Sequence, residues 1–308
     1  MNEQKTQVCV IGGAGVDIFG TSAQPIIPED SNPGTISFSF GGVGRNIANN
    51  LSKLNIAVEL ICALGNDDNG DKLSENCRTE NIGLRHCLRC GLPTASYLCV
   101  NDAKGNIYAA VAAMAINEAV TVDFLRTKLE FINSCQLVVI DTNLSQEACD
   151  FLLNEVKTAI YVDPVSCAKA VKLKRHLAKI AVIKPNYPEI SVLLGEELPL
   201  AEAGKQLLAT GIKEVYLTLG AAGVLAGSSA CQYKLGVYPG AIVNTTGCGD
   251  AFLAGVIYGA LKNKDLLTKA KYGLAAANIC SRSPGAVSEL LNERELLRLV
   301  GDDQKIGL

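Results

Sequence analysis

Asn244-Thr245-Thr246-Gly247-Cys248-Gly249-Asp250 is the stretch of this chain whose residue types and spacing are best suited to chemistry. Two glycines at the start of a helical run let backbone N–H groups come close to an anion. The dipole of the helix that follows, residues 251–261 and read as amphipathic, adds to that attraction. A carboxylate beside a phosphate-binding turn is repelled by the phosphate, so Asp250 needs a task of its own. One task is general base, taking the proton of a hydroxyl as its oxygen attacks a phosphoryl group. The other is capping the helix, which Asp does well. Taken alone, the segment leaves the two readings level.

Other polar turns follow apolar runs. Lys184-Pro185-Asn186-Tyr187-Pro188-Glu189 comes after 180–183, and Thr218-Leu219-Gly220-Ala221-Ala222-Gly223 closes 215–218. Near the start, Asp17 follows the run 8–11, and Gly41-Gly42-Val43-Gly44-Arg45-Asn46 leads into helical spacing at 47–54. A carboxylate such as Asp17 accepts hydrogen bonds from two vicinal hydroxyls. The bland readings are a turn residue for Asp17 and an exposed acid at a helix start for Glu189. Two rival motifs fail on spacing. A dinucleotide fingerprint beginning at Gly13-Ala14-Gly15 needs glycine at 18, which is Ile18. A P-loop over Gly65 to Gly70 needs lysine next, where Asp71 precedes Lys72.

These turns require a frame that brings them together. Apolar runs at 8–11, 58–64, 137–141, 160–163, 180–183 and 215–218 alternate with helical spacing at 47–54, 146–156 and 200–208. Such alternation predicts an α/β fold with a parallel sheet covered on both faces. Ligands of these sheets bind beyond the carboxyl ends of the strands, so the turns should share one edge. Two stretches break the rhythm. Residues 35–40 alternate with period two, and 97–100 and 107–111 flank a hairpin turn at 102–106. They predict a small antiparallel sheet, with lid strands near 18–40 and 94–113, over the active site. Helical runs at 248–261, 266–281 and 288–300 follow. Without a repeat or a long linker, the expectation is one domain across 1–308.

The 308 residues are 48% hydrophobic and 19% charged, which suits a globular enzyme and excludes a disordered chain. A net charge of −3 gives no electrostatic case for nucleic acid or anionic membrane as the main partner. Residues 1–5 lack the pattern of a leader, and no apolar run reaches the roughly 18 residues of a membrane span, so the expected location is cytoplasmic. The 12 cysteines read as reduced, mostly buried thiols. Cys87 and Cys90 form one CxxC without the second pair that zinc needs, and His86 and His176 do not supply it.

Taken jointly, Gly41-Gly42-Val43-Gly44-Arg45-Asn46-Ile47-Ala48, Asn186-Tyr187-Pro188-Glu189 and Thr245-Thr246-Gly247-Cys248-Gly249-Asp250 resemble the ordered signatures of the ribokinase-like (phosphofructokinase-B type) kinases. The resemblance spans Gly12 to about Gly285 and implies a three-layer α/β/α sandwich with a small β lid. It implies Asp250 as catalytic base, with Gly247, Cys248 and Gly249 as backbone donors to the transferring phosphoryl group. Asn186, Thr218, Gly220, Gly223 and Asn278 then serve ATP, and Glu189 acts near Mg²⁺ through water. Asp17, Gly42, Asn46 and Asn143 hold the sugar, while Asn244 and Thr246 sit where related kinases bind a monovalent cation such as K⁺. Cys248 departs from the usual alanine, and its thiol at a helix N-terminus is expected to ionise and oxidise readily.

Within the family, Asp30-Ser31-Asn32-Pro33-Gly34, Gly-Gly-Val-Gly-Arg-Asn and Asn244 resemble the pseudouridine kinases, with Ser31 and Asn32 touching sugar or base. Ala112 and Ala113 stand where polar lid residues are usual, which leaves base hydrogen bonds unmade and opens other nucleosides or sugars. An inactive nucleoside sensor on the same fold is the alternative of a different class. An exposed lid sheet also predicts a homodimer.

Overall fold

The computed structural model describes residues 6–301. Residues 1–5, read above for a leader, and 302–308 lie outside the described residues. The chain begins with β1 (Val8–Ile11), β2 (Gly15–Ser22), β3 (Gly34–Gly41), α1 (Val43–Lys53), β4 (Val58–Ile61), β5 (Ala63–Gly65) and α2 (Asp68–Thr79). Next come β6 (Leu88–Cys90), β7 (Ser96–Asn101), β8 (Ile107–Ala113), and the short helices α3 (Val122–Arg126) and α4 (Leu129–Ser134). Then strands and helices alternate: β9 (Leu137–Asp141), α5 (Gln146–Glu155), β10 (Ile160–Asp163), α6 (Cys167–Ala170), β11 (Val182–Ile183), α7 (Tyr187–Leu194), α8 (Leu200–Ala209) and β12 (Glu214–Thr218). Finally come β13 (Val224–Ser228), β14 (Gln232–Leu235), α9 (Cys248–Leu261), α10 (Leu266–Ser281) and α11 (Glu293–Gly301).

Eight strands form one sheet in the order β14-β13-β12-β11-β10-β9-β1-β4. Its pairs are parallel from β4 to β12, and β13 and β14 add an antiparallel edge. Successive side chains of a strand point to opposite faces. Val8 and Val10 of β1 accordingly join one buried cluster with Ile47 of α1 and Ile279 of α10. Cys9 and Ile11 join the other, with Leu152 of α5 and Leu207 of α8. Two cores on two faces make the three-layer α/β sandwich that the continuous apolar strands predict.

Several expectations change in detail. The run 58–64 is two strands broken at Cys62, because β5 leaves the large sheet to pair with β6. The helix expected from 288 starts at Glu293, since the Asn292 side chain accepts the Glu295 N–H (2.9 Å) and so marks the helix start. Helix α9 is not amphipathic: Asp250 to Gly259 are all buried. It is packed on the sheet side by Tyr216 and flanked by α1 and α10, so it has no wet stripe over that stretch.

The small sheet runs β3-β2-β7-β8. Its outer pairs are antiparallel and its inner pair, β2 with β7, is parallel. The chain returns to the side where β2 began before starting β7, and Val16 N–H bonds to the Ala95 carbonyl there (2.9 Å). Registers give its faces different chemistry. Ser39, Asp17, Tyr97 and Ala112 lie in one cross-strand row. Phe38, Ile18, Leu98 and Val111 lie in the next, on the opposite face. Phe38 is 72% exposed and Val111 63%.

Candidate active site

Five neighbouring parallel strands bring their carboxyl ends to one edge, where one leads into a glycine turn and four end in or just before a polar or charged residue. The turn Gly12–Gly13 follows β1, Asp141 ends β9, Asp163 ends β10, Lys184 follows β11 and Thr218 ends β12. Asp141 and Asp163 are register partners, so two buried carboxylates sit side by side.

Helix α9 points its N-terminus at this edge. Gly247 caps it at φ 77°, and a Cβ there would lie 2.0 Å from the Ala286 carbonyl oxygen, so only glycine fits. The Cys248 N–H is already bonded to the Thr245 carbonyl at 3.2 Å. Cys248 is therefore not a free anion donor as expected, because the turn closes on it. The N–H groups of Gly249 and Asp250, at the second and third helical positions, remain without a carbonyl partner among the described residues.

The Asp250 carboxylate does not cap its helix. Its Oδ2 accepts from Asn46 Nδ2 at 2.9 Å, across 204 residues of sequence. The group is buried, and burial pushes its pKa up to about 8; Asp163 and Asp141 add to the rise, while the Asn46 hydrogen bond and the Lys184 ammonium oppose it. Lys184 is itself buried, with Nζ 3.1 Å from Asp163. Burial pulls its pKa down, but Asp163, Asp250 and Glu189 outweigh that and leave it raised. A Cβ on Gly249 would lie 3.0 Å from Lys184 Nζ, so the ammonium sits directly beneath the glycine turn. A cation and two free N–H groups beside an activated carboxylate can hold a phosphoryl group and deprotonate an alcohol.

The acceptor side is built on glycine turns. Gly42, at φ 96°, starts α1 where a Cβ would meet the Gly13 carbonyl oxygen at 2.5 Å. Buried Asp141 ties this side together, accepting from the N–H groups of Gly13 (2.8 Å), Gly44 (2.7 Å) and Asn143 (2.8 Å). Asp17 lies against Gly41; burial raises its pKa, and Arg45 opposes the rise. Asn143 lies against Gly13, and its Oδ1 accepts from Lys169 Nζ at 2.5 Å. Burial lowers the Lys169 pKa against the pull of Asp141.

On the other side, Asn186 and Glu189 form a reciprocal capping box on α7. Glu189 is buried rather than an exposed helix-start acid, and burial raises its pKa. Thr218 N–H bonds to the Pro185 carbonyl at 3.0 Å, which joins the two nucleotide-side turns. A Cβ on Gly220 would meet open space, whereas Gly223 packs on the Leu235 carbonyl and holds the turn against β14. Asn278 donates to the Tyr238 carbonyl (2.7 Å) and accepts from Arg282, so its amide braces the 238–240 segment instead of standing free. Asn244 donates to the Pro284 carbonyl (2.6 Å) and accepts the Thr246 N–H (2.9 Å), closing the loop before α9.

Some expected site residues are placed elsewhere. Ser31 and Asn32 lie in the exposed loop joining the far ends of β2 and β3, five strand positions from Asp17. Both ends of the Asn32 amide fasten that loop, to Ile27 N–H (2.8 Å) and the Ile27 carbonyl (2.9 Å). Ala112 shares the face of Asp17, but Ala113 faces the other way, since strand side chains alternate. The Cys248 thiol has a lowered pKa because Cys280 hydrogen-bonds to it, against the opposing effect of burial. Cys87 donates to the Leu60 carbonyl (2.9 Å), and no group of three metal-ligating side chains occurs among the described residues. Lys184, Asp163, Asp141 and Lys169 had no role in the sequence reading. Each follows or ends an apolar strand or lies in the next helix, and Lys184 also opens the polar turn 184–189 noted in the sequence.

Comparison with known proteins agrees with this geometry. The chain matches the pfkB family carbohydrate kinases over residues 5–293. The pseudouridine kinase of Escherichia coli (strain K12) is 35% identical over 263 residues, 82% of this chain and 83% of that protein. The pseudouridine kinase of Arabidopsis thaliana is 26% identical over 242 residues, 70% of this chain and 64% of that protein. Among solved structures, a carbohydrate kinase from Agrobacterium tumefaciens superimposes with a TM-score of 0.85 at 27% identity, covering 96% of this chain and 97% of that one. With sequence, fold and strand-edge site in agreement, this chain belongs to the pfkB family of carbohydrate kinases, phosphotransferases that act on an alcohol group.

Proposed function

We propose that the protein is an ATP-dependent nucleoside kinase that phosphorylates the 5′-hydroxyl of pseudouridine. One observation carries the reading: the Asp250 carboxylate is held by Asn46 from the acceptor side while its helix opens onto the phosphate side. In this reading Asp250 takes the hydroxyl proton, the oxygen forms a bond to the γ-phosphorus, and the bond to the leaving ADP oxygen breaks. Lys184 and the Gly249 and Asp250 N–H groups offset the charge on the transferring group. In the same reading Thr218, Gly220 and Asn186 serve the ATP side, supported by the Thr218 N–H bond to the Pro185 carbonyl that joins their two turns. Glu189 keeps lone pairs beyond its two bonds to Asn186, which suits a water shell around Mg²⁺. The ion, when bound, would neutralise phosphate charge. Asn244 and Thr246 frame the loop proposed for a monovalent cation, so exchanging K⁺ for tetramethylammonium should lower turnover.

Pseudouridine is favoured by the 35% identical relative of that name, and Asn143, beside the Gly13 turn, is suited to a sugar hydroxyl. Ala112 beside Asp17 favours a second reading, a sugar or nucleoside that needs no polar lid contact, such as ribose, adenosine, inosine or guanosine. The reading includes a homodimer through the small sheet and a cytoplasmic location, the latter in keeping with twelve free cysteines. The deciding experiment incubates the protein with ATP and a panel of pseudouridine, uridine, adenosine, inosine and ribose. Preferential phosphate transfer to pseudouridine is the expected result. Preference for another acceptor redirects the substrate assignment, and transfer to none of them favours a sensor.

A further inference from the structure

Arg45 has no part in the reaction described above, yet it is one of the most buried charges in the molecule, 4% exposed on α1. Burial lowers its pKa, and Glu80 and Asp17 are among the groups that hold it up. Its Nη1 donates to the Phe40 carbonyl at the base of β3 (3.0 Å) and to Asn46 Oδ1 (3.3 Å). Its Nη2 donates to Asn76 Oδ1 on α2 (2.6 Å). Asn49, with its amide oriented to satisfy both ends, accepts from the same Nη2 (2.9 Å) and donates to Glu80 (3.0 Å). Three elements thus fix the guanidinium, and a planar fork fixed on three sides can orient a neighbour.

That neighbour is Asn46. An amide has a donor end and an acceptor end, and only the donor end is useful against a carboxylate. With Oδ1 facing Arg45, Nδ2 faces Asp250. Turned over, the amide would place oxygen against oxygen at Asp250 and nitrogen against the cation. We infer that Arg45 is a positioning residue for this reaction, fixing the Asn46 amide so that it donates to the Asp250 carboxylate. The inference rests on the reading of Asp250 as base.

Loss of that donor should make Asp250 harder to ionise. The groups facing it are Asn46 on α1, Asp141 on β9, Asp163 on β10, Lys184 after β11 and Cys280 on α10. Arg45→Lys keeps the positive charge and removes the fork, so long-range attraction stays while orientation is lost. The test records two quantities in wild type, Arg45→Lys, Asn46→Ala and the double variant. One is the titration midpoint of the Asp250 carboxyl carbon by NMR, and the other is the pH dependence of kcat. In Arg45→Lys both midpoints should rise by roughly one pH unit, giving about tenfold lower kcat at pH 7. The KM for ATP should stay within about twofold, and Arg45→Lys should add nothing once Asn46 is alanine.

Asn76→Ala, which loosens only one anchor of the guanidinium, should shift both midpoints in the same direction by less. It serves as the test should Arg45→Lys fail to fold. An unchanged Asp250 midpoint in a folded variant overturns the inference, as do additive effects of Arg45→Lys and Asn46→Ala. Full turnover by Asp250→Asn would remove the base assignment instead, and the NMR midpoint would still decide whether Arg45 orients Asn46.

Discussion

Asp250 meets opposed demands. Its burial beside Asp163 and Asp141 makes the charged form costly, and the proposed chemistry needs that form. A base works only when ionised, so kcat should rise with pH through about 8, the raised pKa of this carboxyl, and then level off. Asp250→Asn should lower kcat by about 10²- to 10⁴-fold with little change in nucleoside KM. The same substitution should stabilise the fold in alkali. A carboxyl whose folded pKa lies above its unfolded value binds its proton more tightly when folded, so its contribution to stability falls as pH rises from about 4 to about 8. The melting temperature of Asp250→Asn minus that of wild type should therefore grow across this window, read by calorimetry. Lys184→Met leaves Asp163 buried without its partner, an expected loss of about 3–5 kcal/mol in denaturant unfolding. Any folded fraction should show the acid limb of kcat displaced upward.

At the scale of elements, the site depends on how helices begin. The α1 start at Gly42 places Asn46 one turn in, facing α9, and the start of α9 at Gly247 leaves two N–H groups free. Gly42→Ala combines a positive φ with backbone contact at 2.5 Å, so it should cost more than about 2 kcal/mol and misplace the acceptor side. Urea unfolding and nucleoside KM would register the two effects separately. The α7 start is more forgiving, since Asn186→Ala removes one cap. A stability loss near 1 kcal/mol is expected there, with a larger relative effect on ATP KM than on nucleoside KM.

For the molecule as a whole, the small sheet has two unlike faces. The face of Asp17, Ser39 and Tyr97 is polar, and the face of Phe38, Leu98 and Val111 is apolar and exposed. A contiguous exposed apolar row of this kind marks an interface, and a second copy of this chain is the proposed occupant. Replacing Phe38 and Leu98 by Glu should halve the mass measured by light scattering without altering the circular dichroism. Unchanged mass in a dimeric wild type would remove the interface from this sheet. The chain is also proposed to fold as one domain, so aromatic fluorescence and far-ultraviolet dichroism should report one coincident thermal transition.

The sequence by itself determined the layers and the turns. Continuous apolar strands can be buried only between two helical layers, and Gly42 and Gly247 occupy backbone conformations that other residues adopt at a cost. Asp250, Asn46 and Asn186 were legible only jointly, because the three turns that carry them together resemble the ordered signatures of one kinase family. Tertiary structure alone decided the partnerships. Asp141 meets Asp163 through the register of β9 and β10, and Lys184 reaches both Asp163 and the α9 turn only because β11 lies next to β10. The arginine fork acts on Asn46 only because α2 and β3 hold its other side. Pairings between residues tens to hundreds of positions apart leave no local periodicity, so packing rather than pattern established which charges share the site.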